Sequence, residues 1–348
     1  MPSRNSTRGK VLVVGGTGHF GRLLVEDLRR HTDCELIVAG RRSADLWNPV
    51  SLEAVLRGVS VAICAAGPFQ TLPTTLLELC LRRGIHYIDL ADDRGFVSKI
   101  RSLVAAQNEP LAAVCTGWST VSALSGILAR IGASGCETVD SIYIHMAPGN
   151  RVPRSAGTIA SLLHSVGKPF KVLRNGSWCT VRGWSEGRDY LFPEPIGRRR
   201  GYLVDVPDHE FFPELFHART VEFRTASELH ILNLAVSSLG WSVRTGMVRN
   251  WVSWSRIFQR AAALLGFMGH GWGGVGVEVA GPNGRRSLSV VADSGGQRIA
   301  VMPACVMTAL LLSGSIHRGL VSPADWLTRE ELIKECEKRR FRLIVGEF

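Results

Sequence analysis

One turn constrains this chain more than any other segment. Residues 11–28 read VLVVGGTGHFGRLLVEDL, a β-branched run that meets a glycine-rich turn and passes directly into an amphipathic pattern carrying Leu23, Leu24 and Leu28. Gly15, Gly18 and Gly21 satisfy G-x-x-G-x-x-G, and Gly16, Gly18 and Gly21 satisfy G-x-G-x-x-G. Glycine is needed there for a tight turn after the strand, for close approach of the backbone to a pyrophosphate, and for close packing of helix on sheet. A helix starting at such a turn aims unpaired N–H groups and the positive end of its dipole at the phosphates. A glycine pattern alone is weak evidence. Between a strand and a helix near the N-terminus, it favours a nucleotide site over a plain turn. The candidate contacts are Gly15, Thr17, Gly18, His19, Phe20 and Gly21.

The alternation continues beyond the turn. Strands are expected at 11–14, 35–39, 59–64, 86–90 and 111–115, with a brief strand end at Asp45 and Leu46. Helices are expected to about residue 30, from Ser51 as an N-cap, and at 72–83, 93–108 and 121–131. This order predicts an α/β architecture, a Rossmann-type doubly wound parallel sheet over 11–135. After Gly135 the texture changes. A strand is expected at 139–146, a helix at 158–166 and strands at 170–173 and 178–181, while GWGGVG at 271–276 reads as a mobile loop or a bend. A hairpin is expected at 275–280 and 288–291 around Pro282, Asn283 and Gly284. Residues 136–300 thus form a second, mixed α+β domain for substrate and dimerisation. Residues 301–348 supply C-terminal helices, at 304–312 and 329–338, that return to the first domain. Residues 1–10 are a polar, flexible N-terminus without a secretory signal.

Composition narrows the function classes. With 348 residues, 45% hydrophobic and 20% charged, the chain is long enough for two ordinary globular domains. The apolar runs at 261–268 and 302–312 are too short to span a bilayer, which excludes stable membrane insertion and leaves only a peripheral contact open. Eight cysteines without a C-x-x-C pair read as free thiols in a reducing cytoplasm rather than as disulfides or zinc ligands. A net charge of +11 points to anionic partners such as NADP or CoA thioesters, but the arginines are too dispersed for a nucleic-acid track. Neither a Tyr-x-x-x-Lys pair after the fourth strand, a G-x-S-x-G elbow nor an H-E-x-x-H pair occurs.

Cofactor choice rests on the end of the second strand. An acidic residue there would accept hydrogen bonds from the adenosine ribose. Arg41 and Arg42 can instead pair with a 2′-phosphate and stack on adenine, so NADP (NADPH) is favoured and NAD disfavoured. Asp45 is placed to contact the adenine amino group or to close a turn. Ala66, Gly67, Pro68 and Phe69 end the strand at 59–64 where the phosphates and the nicotinamide ribose pass. For the reaction, Tyr87 and Asp92 are the catalytic candidates, with Asp92 reading equally as a helix cap. Asp89 and His86 read as structural. Ser119 and Thr120 could bind a polar substrate group or cap the next helix, and His145, Arg154 and Arg198 to Arg200 are candidate ligands of a carboxylate or phosphate. Trp241, Trp251, Trp254 and Trp272 suit either an apolar pocket or the core.

The glycine turn, CAAGPFQ at 64–70 and CLRRGIHYIDLADD at 80–93 together resemble the saccharopine dehydrogenase-like NAD(P)-dependent oxidoreductases. TGWSTVSAL at 116–124 is similar to the glycine loop that follows the strand at 111–115 in that family, but lacks the proline usual near Val121 and Ser122. The resemblance implies an NADP-binding domain first, a substrate domain before the C-terminal helices, a homodimer, and C–N chemistry at amino acids or polyamines through imines. The expected function is NADP-dependent hydride transfer to or from a C=N substrate. The alternatives are C=C or carbonyl reduction on a lipid- or polyketide-like substrate, and a non-catalytic dinucleotide-binding sensor or scaffold.

Overall fold

The computed structural model describes residues 9–151, 155–282 and 284–347. Its first layer is a six-stranded, wholly parallel sheet built on β1 (Lys10–Val14), β2 (Glu35–Ala39), β3 (Val61–Cys64), β4 (His86–Asp89) and β5 (Ala113–Cys115). β1 lies between β2 and β3, and the order continues through β4 and β5. The runs VLVV and VAIC are buried along their whole length, as strands covered on both faces must be. Helices α1 (His19–His31), α3 (Thr75–Arg83) and α4 (Arg94–Ala105) pack on this sheet, α2 (Pro49–Val55) packs on α3, and α5 (Ala123–Gly132) packs against the second sheet.

Local chemistry moves two expected boundaries. Asp45 and Leu46 form no strand: the Asp45 carboxylate accepts from the Trp47 N–H at 3.1 Å, a turn that an aspartate makes with its own backbone. The α2 cap is Asn48 rather than Ser51. Its Oδ1 accepts from the Val50 and Ser51 N–H groups at 3.1 and 3.3 Å, and Pro49 fits the first helical position because it has no N–H to satisfy.

The second layer is a nine-stranded mixed sheet. Its elements begin with β6 (Ser141–Pro148), α6 (Ala156–Ser165), β7 (Pro169–Arg174), β8 (Ser177–Arg182), β9 (Arg188–Leu191) and β10 (Arg198–Leu203). There follow α7 (Asp208–Leu215), β11 (Val221–Thr225), α8 (His230–Arg244), α9 (Ser255–Leu264), β12 (Gly273–Gly281) and β13 (Gly284–Ala292). The glycine run expected to be a loop or bend is the start of β12. A Cβ at Gly274 would lie 2.6 Å from Ile196, and one at Gly276 would lie 2.4 Å from the Tyr190 ring. These strand glycines leave room for the side chains packed over them. The expected hairpin joins β12 to β13, with Asn283 outside the described residues.

After β13 the chain returns to the first layer with α10 (Met302–Leu312), which packs against α1 and β3, and with β14 (Gly319–Leu320), the parallel edge beside β5. α11 (Arg329–Lys338) follows, and β15 (Phe341–Glu347) then crosses back to pair with β13. β14 and β15 fall where the sequence predicts only helices. All eight cysteines are free. Two of the tryptophans expected in a core or pocket are in neither: Trp241 and Trp254 are 59% and 50% exposed.

One buried guanidinium ties these returning segments to the first domain. Arg339, just past α11, donates Nε to Asp27 of α1 at 2.8 Å, Nη1 to Glu335 at 2.6 Å and Nη2 to the Cys305 sulfur of α10 at 3.4 Å. Arg339 and Asp27 are both almost fully buried, so neither charge can fall back on water. Arg339→Ala should lower the unfolding free energy by about 3–5 kcal/mol in urea titration. The added change Asp27→Asn should restore part of that loss by removing the stranded carboxylate, and strict additivity of the two would count against the pair.

Candidate functional site

A cleft of about 830 Å³ opens where the carboxyl ends of the parallel strands face the second layer. In a sheet of this kind that is where ligands bind. The glycine turn forms one wall. Gly15 has φ +80°, and a Cβ there would lie 2.6 Å from the Ala66 nitrogen at the end of β3. A Cβ at Gly21 would lie 2.1 Å from the Gly15 carbonyl. Gly18 differs: a Cβ there would meet the Gly15 carbonyl at 3.1 Å and no other atom beyond its chain neighbours within 4 Å, because it faces the cleft. Gly18 is also the N-cap of α1, and no side chain caps that helix. An uncapped helix start beside an uncrowded glycine fits a pyrophosphate.

The other expected cofactor contacts divide. Gly15, Gly18, His19, Phe20, Arg41, Asp45, Ala66, Gly67, Pro68 and Phe69 all line the cleft. Gly21 does not; it is consumed in helix packing. Thr17 lies outside the lining, with its hydroxyl over Gly40, where a Cβ would lie 2.8 Å away. Arg42 is exposed and also outside the lining, so of the two arginines only Arg41 lines the cleft. The His19 ring meets the Gln297 side chain from the second half of the chain. Phe69 is both wall and core, its ring 5.3 Å from that of Phe96. Trp47, which sequence reasoning missed, lines the same end while 67% exposed. Nothing in the sequence marks it, since its exposure follows only from the fold.

At the other end the two catalytic candidates separate. Tyr87 is buried within β4 and lines no part of the cleft; burial and the nearby Asp89 push its hydroxyl pKa well up. Strand alternation and a neighbour on each side of β4 place it in the core, which removes it from the candidate site. Asp92 does line the cleft. Its alternative role as a cap belongs to Asp93, whose carboxylate accepts from the Phe96 N–H at 2.8 Å. Asp92 Oδ2 accepts from the Ser161 hydroxyl of α6 at 2.7 Å, and that hydroxyl accepts from Gln70 Nε2 at 3.0 Å. Burial pushes the Asp92 carboxyl above its ordinary pKa, against the Ser161 hydrogen bond. Neither Ser161 nor Gln70 was legible beforehand, since α6 reaches Asp92 only through the fold.

Apolar residues of the cleft lining include Leu72, Leu90, Val121, Met146, Pro148 and Val275. Ser119 and Thr120 also line it. His86 is structural: its Nδ1 accepts from the Ala113 N–H at 3.0 Å. His145 lies outside the lining, stacked on Tyr190 at 4.4 Å with Glu278 at 3.5 Å, and burial lowers its pKa. Arg198 and Arg200 pair with Asp189 on β9, and Arg199 also lies outside the cleft lining. Arg154 lies outside the described residues.

Two buried carboxylates hold the loop that carries Ser119 and Thr120. Asp89 accepts from the Ala91 and Gly117 N–H groups at 3.0 and 2.8 Å. Asp208 of α7 accepts from the Ser122 N–H at 2.8 Å, the Ser122 hydroxyl at 2.9 Å and the Ser125 hydroxyl at 2.5 Å. Ser122 has φ +64°, a conformation closed to proline, and its N–H is in use. The missing proline of the resembled family therefore has a local reason at this position.

No protein-family model matches the chain, and no curated protein matches it. Solved structures similar to it include GenD2 from gentamicin A biosynthesis in complex with NAD, at 11% identity over 98% of this chain and 94% of that one, with a TM-score of 0.42. Another is the C. glutamicum DAP dehydrogenase in complex with DAP, at 12% identity over 94% and 99%, with a TM-score of 0.43. A third is the amine dehydrogenase from Mycobacterium smegmatis, at 9% identity over 92% and 96%, with a TM-score of 0.45. At that distance the likeness bears on neither substrate nor reaction.

Asp208 gives the loop a pH signature. Burial pushes its carboxyl from 3.8 up to about 6, so between those values the folded chain binds more protons than the unfolded one. Stability from this group is therefore fully present below about pH 4 and is lost as pH rises through 6. Asp208→Asn cannot titrate. The stability of the parent relative to this variant should shrink by roughly 2–3 kcal/mol across that window, read from urea unfolding at each pH. A constant difference would show that Asp208 does not carry the shift.

Proposed function

We propose that this chain is an oxidoreductase that uses a nicotinamide dinucleotide, prefers NADP(H), and acts on a polarised double bond in a largely apolar substrate. The observation that carries the reading is one continuous cleft holding the glycine turn and Arg41 at one end and Asp92 at the other. In this reading Gly15, Gly18 and the open start of α1 hold the pyrophosphate, Arg41 pairs with the 2′-phosphate, and Trp47 offers its ring to the adenine. Ala66, Gly67, Pro68 and Phe69 wall the passage toward the reacting end. A bound nicotinamide supplies or accepts the hydride. Asp92, kept protonated more readily by burial and oriented by Ser161, donates the matching proton during reduction and takes it back in reverse.

The apolar residues of the cleft lining support C=C or carbonyl reduction on a lipid- or polyketide-like substrate. The C=N reading retains one specific support, because a carboxylate at the reacting end would stabilise a cationic iminium. Membership of the saccharopine dehydrogenase-like enzymes belongs to the same proposal and rests on the three motifs. A carboxyl kept in the cleft also favours turnover over a sensor that only binds the dinucleotide.

Fluorescence titration with NADPH and NADH tests the cofactor half. Arg41→Ala should weaken NADPH by about 1.5–3 kcal/mol and NADH far less, whereas Arg42→Ala should leave both nearly unchanged. Equal losses for the two cofactors would contradict a 2′-phosphate site. Gly18→Asp should abolish binding of both by setting bulk and negative charge against the pyrophosphate. For the reaction half, Asp92→Asn should lower kcat by about 100-fold or more and remove the alkaline limb of the reductive pH profile. Ser161→Ala should move that limb to higher pH, since it removes a hydrogen bond that favours the charged carboxylate. An unaltered profile in both variants would exclude Asp92 as the proton donor.

A further inference from the structure

The region between Glu228 and Glu278 departs from the rest of the chain. It contains no acidic residue and four arginines, Arg244, Arg249, Arg256 and Arg260, all exposed. It also leaves apolar side chains in water at helical spacing. On α8 the exposed apolar side chains include Ile231, Leu234 and Trp241; on α9 they include Ile257, Ala261 and Leu264, with Trp254 just before the helix and Phe267 and Met268 just after it. Leu264 and Phe267 are 75% and 76% exposed, and α9 has no buried residue at all. The segment is nevertheless anchored. Trp251 donates its ring N–H toward the Leu239 carbonyl and the Ser242 hydroxyl, and the ring N–H of Trp184 bonds the Asn233 carbonyl.

From this pattern we infer that α8 and α9 form a docking surface for an anionic lipid bilayer, lying in its interface without crossing it. A short helix with a Trp, Leu and Phe face beside arginines is the pattern that buries its apolar side at the headgroup boundary. No helix among the described residues is long and apolar enough to cross a membrane. Charge selects the occupant. A second copy applied through a two-fold axis would set these uncompensated arginines against themselves, whereas an anionic leaflet neutralises them. α9 packs on α6, whose Gly157, Thr158 and Ser161 line the cleft, so the docked face sits one helix away from the site. The inference stands apart from the dinucleotide reading and survives its failure.

Flotation of the full chain with phosphatidylcholine vesicles, with and without phosphatidylglycerol, tests it. The chain should float with the anionic vesicles, far less with phosphatidylcholine alone, and less as salt is raised. Arg256→Ala with Arg260→Ala should lower the partition coefficient by about 30-fold, and Leu264→Ser with Phe267→Ser should also reduce it, with circular dichroism unchanged. The parent alone gives a second reading, a blue shift of tryptophan emission on adding anionic vesicles. Failure to float with anionic vesicles would overturn the inference, as would variants that float like the parent. So would a parent dimer that ignores vesicles and becomes monomeric on losing Leu264 and Phe267, which would show that a second copy covers the face.

Discussion

The site depends on a backbone contact that only glycine permits. β1 and β3 end side by side, and the turn after β1 rests against the Ala66 nitrogen so closely that a methyl group at Gly15 would be inside it. Gly21 seats α1 onto the same turn. Together these contacts fix where the helix begins, and the helix start defines one wall of the cleft. Arg41 and Trp47 follow from the neighbouring strand end, where the Gly15 and Gly16 N–H groups both bond the Ala39 carbonyl at 2.9 and 3.0 Å.

The opposite wall is held by charge rather than by close packing. Asp89 is pushed up to about 6 by burial, although two N–H groups act to lower it, so its environment is costly for an ion and yet well supplied with donors. Such a carboxyl positions backbone instead of reacting. Asp92, three residues on, has a hydroxyl partner and an edge on the cleft, so similar chemistry is directed outward. Adjacent carboxylates in ADD thus take different tasks, with Asp92 facing the cleft and Asp93 closing a helix.

This division marks how far the sequence could be read. Periodicity located the parallel strands and α1 because their signals are local: continuous apolar runs, a glycine turn and a 3.6-residue stripe. Local chemistry also misled where two neighbours competed, as when Asn48 took the cap from Ser51 because Pro49 had to follow a cap directly. The glycines at 273, 274 and 276 looked like a loop because the residues that cover Gly274 and Gly276, Tyr190, Phe192 and Ile196, come from 78 to 86 positions earlier. Long-range pairing hid β15, and it hid the Ser161 and Gln70 partners of Asp92. Tyr87 was misplaced for a simpler reason: proximity to Asp89 and Asp92 along the chain says nothing about which face of the strand it occupies.

Ser122 and Asp208 lie 86 positions apart and hold each other. The backbone at Ser122 adopts its left-handed turn around a carboxylate that arrives from the other half of the chain. The two residues are therefore a unit of inheritance. A chimera with a crossover between them, joining this first half to a foreign partner half, would separate a strained turn from the group that supports it. A transplanted second half must bring its own acceptor for the Ser122 N–H in place of Asp208. The loop at 116–122 is held from both sides, by Asp89 through Gly117 and by Asp208 through Ser122, so no junction beside it leaves both holds intact.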